Sequence, residues 1–142
     1  MKLKQRFQAY AEDFEQSYTD NDWSRVARHF TENASYDAGD GSEIAQGRGA
    51  ILRKLHGAVD ALDRQMDRRD LQIYSVAEDG DTVTAEWTIR FTKADLPPLV
   101  VSGVEVARYE GKAMCELRSV IRPESLTEFG AWMEANGTGL KA

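Results

Sequence analysis

A carboxylate in the middle of an apolar segment is the first candidate for chemistry in this sequence. Glu105 lies between two valines, and strand alternation would place it on the same face as Gly103 and Ala107. If that face is buried, loss of hydration raises the pKa of the carboxyl, which can then donate or accept a proton near neutral pH. If the face is exposed, Glu105 instead pairs with Arg90 or Arg118 on neighbouring strands.

Two more polar side chains lie in the first third of the chain. Tyr36 would share a strand face with Ala34 and Ala38, so its hydroxyl either enters a pocket or is bonded by a backbone carbonyl. Asp40 follows in the glycine-containing turn AGDGSE, as a candidate base or as an Asx-turn residue. The sequence leaves both alternatives open for each residue.

Histidine, cysteine and metal chemistry are less favoured. His29 and His56 are far apart and show no HxxxH or HxH spacing, so we expect no metal site. Cys115 alternates with apolar residues and is interpreted as a small buried hydrophobe. The GRG at 47–49 lacks the GxGxxG pattern of a dinucleotide-binding loop. The sequence therefore predicts no cofactor.

The candidate residues lie on a chain that changes from helices to strands. Four segments have the apolar spacing of a helix: 1–20, 22–30, 47–66 and 125–136. Five segments have the alternation of strands: 33–38, 71–78, 82–93, 99–109 and 112–122. We expect Asp22 to cap the second helix, and Ser125 with Glu128 to form a capping box at the last one. Turns at Gly80 and Gly111 would join strands as hairpins.

The strand predicted at 82–93 has the clearest alternation. Its core-facing set is apolar and consists of Val83, Ala85, Trp87, Ile89 and Phe91, and its opposite face is polar. Such a pattern is typical of a sheet covered by helices on one face. Trp87 is thus expected either in the core or in the wall of a ligand pocket.

Composition excludes several classes of function. A chain of 142 residues is the length of one domain, so we expect a single domain over residues 1–142. The net charge is -6 and the basic residues are scattered, which disfavours nucleic-acid binding. The apolar runs are much shorter than the roughly 20 residues that span a bilayer, and the first residues do not have the pattern of a signal peptide. With one cysteine, a cytoplasmic location is expected.

The order of these elements resembles the nuclear transport factor 2-like superfamily, in particular its SnoaL-like and ketosteroid-isomerase-like branches. The segments that carry the resemblance are DWSRVARHFTENASYD from residue 22, GRGAILRKL from 47, GDTVTAEWTIRF from 80 and VEVARYEGKAMCELRSVI from 104. The resemblance implies an α+β fold of the cystatin-like type, with a cone-shaped, curved antiparallel sheet wrapped around the N-terminal helices. It also implies a homodimer, for which the Val100, Val104 and Val106 face is one natural surface.

The resemblance also implies positions for an active site. In ketosteroid isomerases, a helix Tyr and a late-strand acid bind the developing oxyanion, and an Asp after the first strand moves the proton. In this chain the Tyr position is Phe14, the Asp position is Ala38, and only the late acid is kept, as Glu105. Tyr10, one helical turn from Phe14, and Asp40 are the expected substitutes.

A second activity of the superfamily gives a different expectation. Its epoxide hydrolases use an Asp-Arg-Asp set, for which Glu105, Arg118 and Glu116 have the right residue types, and Arg118 would then line the pocket. Both comparisons imply an apolar pocket for a small, largely hydrophobic ligand. The enzyme hypothesis is cofactor-free acid–base catalysis of the isomerase, cyclase or dehydratase type. The alternative is a non-catalytic ligand-binding or dimeric interaction module.

Overall fold

The structure is a computed structural model that describes residues 2–140. The helices are α1 (Leu3–Asp20), α2 (Ser24–Ala27), α3 (Arg48–Ala61) and α4 (Pro123–Asn136), with short 3-10 turns at Asp63–Gln65 and Gly137–Gly139. The strands are β1 (Phe30–Asp37), β2 (Ala45–Gln46), β3 (Arg68–Asp79), β4 (Thr82–Thr92), β5 (Leu99–Glu110) and β6 (Ala113–Ile121). The α+β class predicted from the sequence is confirmed. The domain predicted over 1–142 includes Met1, Lys141 and Ala142, which lie outside the described residues.

The six strands form one sheet in the order β2-β1-β6-β5-β4-β3. The sheet is not closed, because β2 and β3 are its two different edges. Neighbouring strands are antiparallel except β1 and β6, which are parallel. The register shifts between Ile73 and Ser75 and between Arg108 and Tyr109, as bulges that bend the strands around the helices.

The inner face of the sheet packs against the helices. In β4 the predicted core-facing set is confirmed, with Val83, Ala85, Ile89 and Phe91 all buried and Trp87 partly buried. One apolar cluster forms beneath α1 and α3, around Phe30 and Ile51. A second cluster forms beneath α4, where Trp132 packs with Phe91 and Leu99. The space between these two clusters is where a cavity opens.

Two predicted helix starts differ from the structure. The N-cap residue of α2 is Trp23, although Asp22 Oδ1 still accepts a backbone N–H from the first turn at 3.1 Å. The capping box at Ser125 is wrong, because α4 begins earlier, at Pro123, whose fixed φ suits the first turn. Ser125 Oγ accepts the backbone N–H of Ser102 at 3.0 Å instead, which attaches α4 to β5.

Candidate functional site

A cavity of about 480 Å³ lies between the inner face of the sheet, α1, α3 and α4. Most of its wall is apolar or aromatic, including Phe14, Leu55, Leu71, Ile89 and Phe129. Its polar side chains form two separate groups, one around Glu105 and one around Arg69. A mostly apolar cavity with a few convergent polar groups is the usual form of a small-molecule site.

Glu105 points into this cavity from β5. In the sheet register it lies opposite Ala85 on β4 and Ser119 on β6, and Ser119 Oγ donates a hydrogen bond to Glu105 Oε1 at 2.5 Å. Burial raises the pKa of this carboxyl to about 7, and the hydrogen bond from Ser119 only partly opposes the rise. The carboxyl is only partly covered, because its open side borders the cavity. Glu105 therefore faces the cavity, and among residues 2–140 it forms no salt bridge. The alternative in which it faces solvent and pairs with Arg90 or Arg118 is wrong.

Trp87 lies beside Glu105 in the cavity wall. Its indole lies over Gly103 on the adjacent strand, where a Cβ would come within 2.9 Å of Cζ2 of the ring. The Nε1–H is buried and has no hydrogen-bond partner among the described residues. It is near enough to Glu105 to lower the pKa of that carboxyl slightly, without reaching hydrogen-bonding geometry. Trp87 is therefore a wall residue with a donor still to be satisfied.

Two tyrosine side chains line the same cavity as Glu105 and are affected by its charge. Burial raises the pKa of Tyr36 first, and the nearby charge of Glu105 raises it further. The pKa of Tyr10 is raised by burial and then by Glu105, and Tyr10 is 7% exposed. Both phenols are thus neutral hydrogen-bond donors at neutral pH, and both line the cavity. The structure brings Tyr10, Tyr36 and Glu105 together.

Asp40 lies at the rim of the cavity in the turn that follows β1. Its Oδ1 accepts hydrogen bonds from Ser42, from the backbone N–H at 2.9 Å and from Oγ at 2.5 Å. These bonds lower the pKa of Asp40, so the residue is both an Asx-turn residue and an ionised carboxylate facing the cavity. Gly39 fixes the turn with φ +75, at a position where a Cβ would come within 2.0 Å of the Ser119 carbonyl oxygen. The turn is held close to the Glu105 region.

Phe14 lines the cavity, in edge-to-face contact with Tyr10 at 6.3 Å between ring centroids. Arg118, in contrast, lies on the outer face of the sheet. It pairs with Val106 in the register, is 50% exposed and lies 3.7 Å from Glu116. The expectation that Arg118 lines the pocket is therefore wrong. Since Glu105 pairs with Ser119, the residue before Ser119 must point to the opposite face, and the proposed acid–arginine–acid set cannot assemble there.

The structure instead has an acid–arginine–acid group that the sequence analysis missed. Arg69 on β3 is 5% exposed, and its Nη1 and Nε lie 2.5 Å from Glu15 Oε1 and 2.6 Å from Asp63 Oδ2. We call Glu15, Asp63 and Arg69 the Arg69 cluster, and all three line the cavity. The pKa of Asp63 is raised, because burial outweighs the attraction of Arg69. The sequence did contain one indication of this group, because strand alternation places Arg69 on the same face as the apolar residue Leu71.

A sequence model of the SnoaL-like domain matches residues 9–117. The chain belongs to the SnoaL-like family. The resemblance inferred from the sequence is therefore confirmed. No curated protein sequence matches the chain.

Solved structures with this SnoaL-like fold share little sequence with the chain. A protein of unknown function from Exiguobacterium, described as NTF2-like, has a TM-score of 0.66 at 16% identity, over 83% of this chain and 98% of its own. A protein from Catenulispora acidiphila with a ketosteroid isomerase-like fold, bound to trimethylamine, has a TM-score of 0.63 at 17% identity, over 82% and 88%. The epoxide hydrolase/cyclase-like enzyme SalBIII, which acts in pyran ring formation in the polyether salinomycin, has a TM-score of 0.64 at 17% identity, over 88% and 97%. These similarities establish the fold.

The two histidines of this SnoaL-like chain lie outside the cavity wall. His29 Nε2 lies 2.6 Å from Asp13 Oδ2, and His56 stacks on Trp23 with 5.5 Å between ring centroids. Within residues 2–140 there is no group of three or more His, Cys, Asp and Glu side chains that could hold a metal ion. No helix in the same part of the chain is long and apolar enough to cross a membrane.

Proposed function

We propose that this SnoaL-like protein binds a small, largely hydrophobic, oxygen-bearing molecule and moves a proton on it without a cofactor. The observation that carries the proposal is Glu105, a carboxyl with a pKa of about 7 and no cationic partner within residues 2–140, on the wall of an apolar cavity. A group that titrates near the working pH is the most effective general acid or base. The proposed reaction class is isomerase, cyclase or dehydratase.

The proposed mechanism divides the work between two carboxyls. Protonated Glu105 donates a hydrogen bond to a ligand oxygen, and the neutral phenols of Tyr10 and Tyr36 add donors as negative charge develops there. Ionised Asp40 at the rim takes a proton from the carbon next to the carbonyl and returns it to the enolate. The charge of Asp40 raises the pKa of Tyr36, as that of Glu105 does, which supports a position of Tyr36 between them.

The experiment is hydrogen–deuterium exchange at the carbon next to the carbonyl of 2-tetralone in D₂O, followed by proton NMR. The wild-type protein should accelerate exchange over buffer, and Asp40→Asn and Glu105→Gln should each lose about 100-fold or more. The rate should fall as the pH rises through about 7, because Glu105 then loses its proton. The exposed Asp95→Asn is the matched control and should keep the wild-type rate.

The rival proposal is a non-catalytic ligand-binding or dimeric interaction module. It is favoured by Phe14 and Ala38 at the positions of the ketosteroid isomerase Tyr and Asp, and by the Ser42 hydrogen bonds that make Asp40 a weaker base. A wild-type protein that binds 2-tetralone but leaves exchange at the buffer rate would establish this rival. Equal exchange rates in the wild type and both variants would also refute acid–base catalysis.

We also propose a homodimer formed through the outer face of the sheet. Val104 and Val120 lie opposite each other on β5 and β6, and Val120 is 49% exposed. They continue the surface formed by Val100 and Val106, so this face presents apolar groups to a second copy. A monomer in sedimentation velocity at micromolar concentration would contradict the proposal.

A further inference from the structure

We infer that Trp87 Nε1–H is a binding group for a carbonyl-type oxygen of the ligand, held between the indole and the Glu105 carboxyl. The inference rests on the proposed function and adds the chemical class of the ligand. Its first support is that this N–H is buried and has no hydrogen-bond partner within residues 2–140. A buried donor without a partner is costly and uncommon in native proteins, and a ligand that fills the cavity would satisfy it.

The sheet register places the two groups side by side. Trp87 on β4 lies opposite Gly103 on β5, and Glu105 follows Gly103 by two residues on the same face. Trp87 and Glu105 are thus diagonal neighbours, a pair whose Cα atoms lie about 7–8 Å apart. The indole extends from Trp87 toward Glu105 and shortens the distance between the two polar groups. A ligand atom at the cavity wall can therefore contact both of them.

The indole of Trp87 packs against the backbone of Gly103, which keeps the ring in this orientation. A Cβ on Gly103 would lie 2.9 Å from Cζ2 of Trp87 and 2.7 Å from the carbonyl oxygen of Val120. Real Cβ atoms do not approach this closely, so any other residue at 103 would displace the ring or the strand. The donor is therefore fixed by packing against the backbone of β5 rather than by a hydrogen bond of its own.

The chemistry of the two groups defines the ligand. An indole N–H only donates, so it requires an acceptor from the ligand. A carbonyl oxygen has two lone pairs and can accept from Trp87 and from protonated Glu105 together. An alcohol oxygen could also accept from the indole, but only by donating its own proton to an ionised Glu105, so protonated Glu105 favours an oxygen that only accepts. The pair thus selects ketones, aldehydes or esters over hydrocarbons of the same shape.

The test uses two probes of the same shape, 2-acetylnaphthalene and 2-isopropenylnaphthalene, which differ in a carbonyl oxygen replaced by a methylene group. Dissociation constants are measured by equilibrium dialysis. In Trp87→Phe the ketone should bind about 5–10-fold more weakly, the effect of one lost hydrogen bond, and the hydrocarbon should change less than about twofold. Trp23→Phe is the control, since Trp23 Nε1 donates to Asn21 at 3.0 Å and does not line the cavity.

A second measurement leaves the chain unchanged. In the ¹⁵N-labelled wild type, which has three tryptophans, the ketone should shift the indole N–H signal of Trp87 downfield and the hydrocarbon should not. The inference is overturned if Trp87→Phe weakens both probes equally, or if the ketone leaves the Trp87 signal in place. If neither probe binds the wild type, the ligand-binding proposal fails, and the inference fails with it.

Discussion

Glu105 and the Arg69 cluster both place carboxyl groups in the wall of the same cavity, but among residues 2–140 only the carboxyls of the cluster are paired with a cation, and Glu105 is not. Arg69 contacts Glu15 and Asp63 at 2.5 and 2.6 Å, whereas Glu105 accepts a hydrogen bond from the neutral Ser119. Burial raises the pKa of both Asp63 and Glu105. The difference teaches that burial alone raises the pKa of a carboxyl: in Asp63 the charge of Arg69 opposes that rise, while in Glu105 only the hydrogen bonds of neutral groups oppose it.

The two regions also differ in what they connect. The Arg69 cluster joins α1, the 3-10 turn at Asp63–Gln65 and β3, and its guanidinium lies 4.8 Å from the ring centroid of Tyr18. Among residues 2–140, the hydrogen bond of Glu105 lies within the sheet and joins it to Ser119 on the next strand. Removal of the Arg69 cation should therefore lower the stability, and removal of the Glu105 carboxyl should change the proton chemistry of the cavity and the pH dependence of the stability.

Arg69→Met should give the largest effect. It leaves the Glu15 and Asp63 carboxylates without their cation, and breaking a buried ion pair from one side costs about 3–5 kcal/mol of the free energy of unfolding. Since the Glu15 side chain is 39% exposed, we expect the lower end of that range. Urea denaturation at pH 7 measures the loss.

The neighbouring Arg68→Met is the matched control for that prediction. Arg68 is 73% exposed and pairs with Asp70 at the surface, so its loss should cost less than about 1 kcal/mol. If the two variants are equally stable, the Arg69 cluster does not hold these elements together and the contrast with Glu105 fails.

Glu105→Gln should raise the free energy of unfolding above pH 7, by an amount comparable with the loss expected in Arg69→Met. The pKa of Glu105 is about 7 in the folded protein against 4.5 in the unfolded chain, so between these values the unfolded chain binds fewer protons. The free energy of unfolding therefore falls as the pH rises from 4.5 to 7, by up to about 3 kcal/mol. The variant should lose this part of the slope and exceed the wild type in stability at pH 8. Equal slopes in urea denaturation from pH 4.5 to 8 would contradict the assignment.

Ser119→Ala should give the smallest change in stability, and it tests whether a neutral hydrogen-bond donor is what limits the rise in the pKa of Glu105. It removes the hydrogen bond that favours the ionised carboxylate, so the pKa of Glu105 should rise above 7, at a cost of about 1 kcal/mol in stability. Carbon-13 NMR titration of the glutamate carboxyls measures the pKa. Ser102→Ala, which removes a hydroxyl bonded to Thr88, should leave it unchanged. A lowered pKa in Ser119→Ala would refute the role of this hydrogen bond.

Much of the fold could be predicted because its signals are local. Alternation along 82–93 identified the buried face of β4, and the segment DWSRVARHFTENASYD helped to identify the family. The errors occurred where local rules compete. Ser125 with Glu128 has a valid capping sequence, but Pro123 starts the helix earlier, and the Ser125 hydroxyl is used by β5 instead.

The candidate site was predicted in part. The structure places Glu105, Tyr36 and Tyr10 in the wall of one cavity with Asp40 at its rim, and the roles predicted for them stay predictions. Arg118 was misplaced because residue types alone do not give the register of two strands, and a shift of one residue reverses the face. Whether Asp40 and Glu105 transfer a proton stays a prediction.

The sequence by itself determined the order of helices and strands, the SnoaL-like resemblance and the buried face of β4, because periodicity and short segments encode these along the chain. Only the tertiary structure decided which buried acids have a cation. Arg69 meets Glu15 across 54 positions of sequence, and Ser119 meets Glu105 across 14. Such partners are set by strand register and helix packing, and the pKa of a buried acid depends on the partners and burial that result.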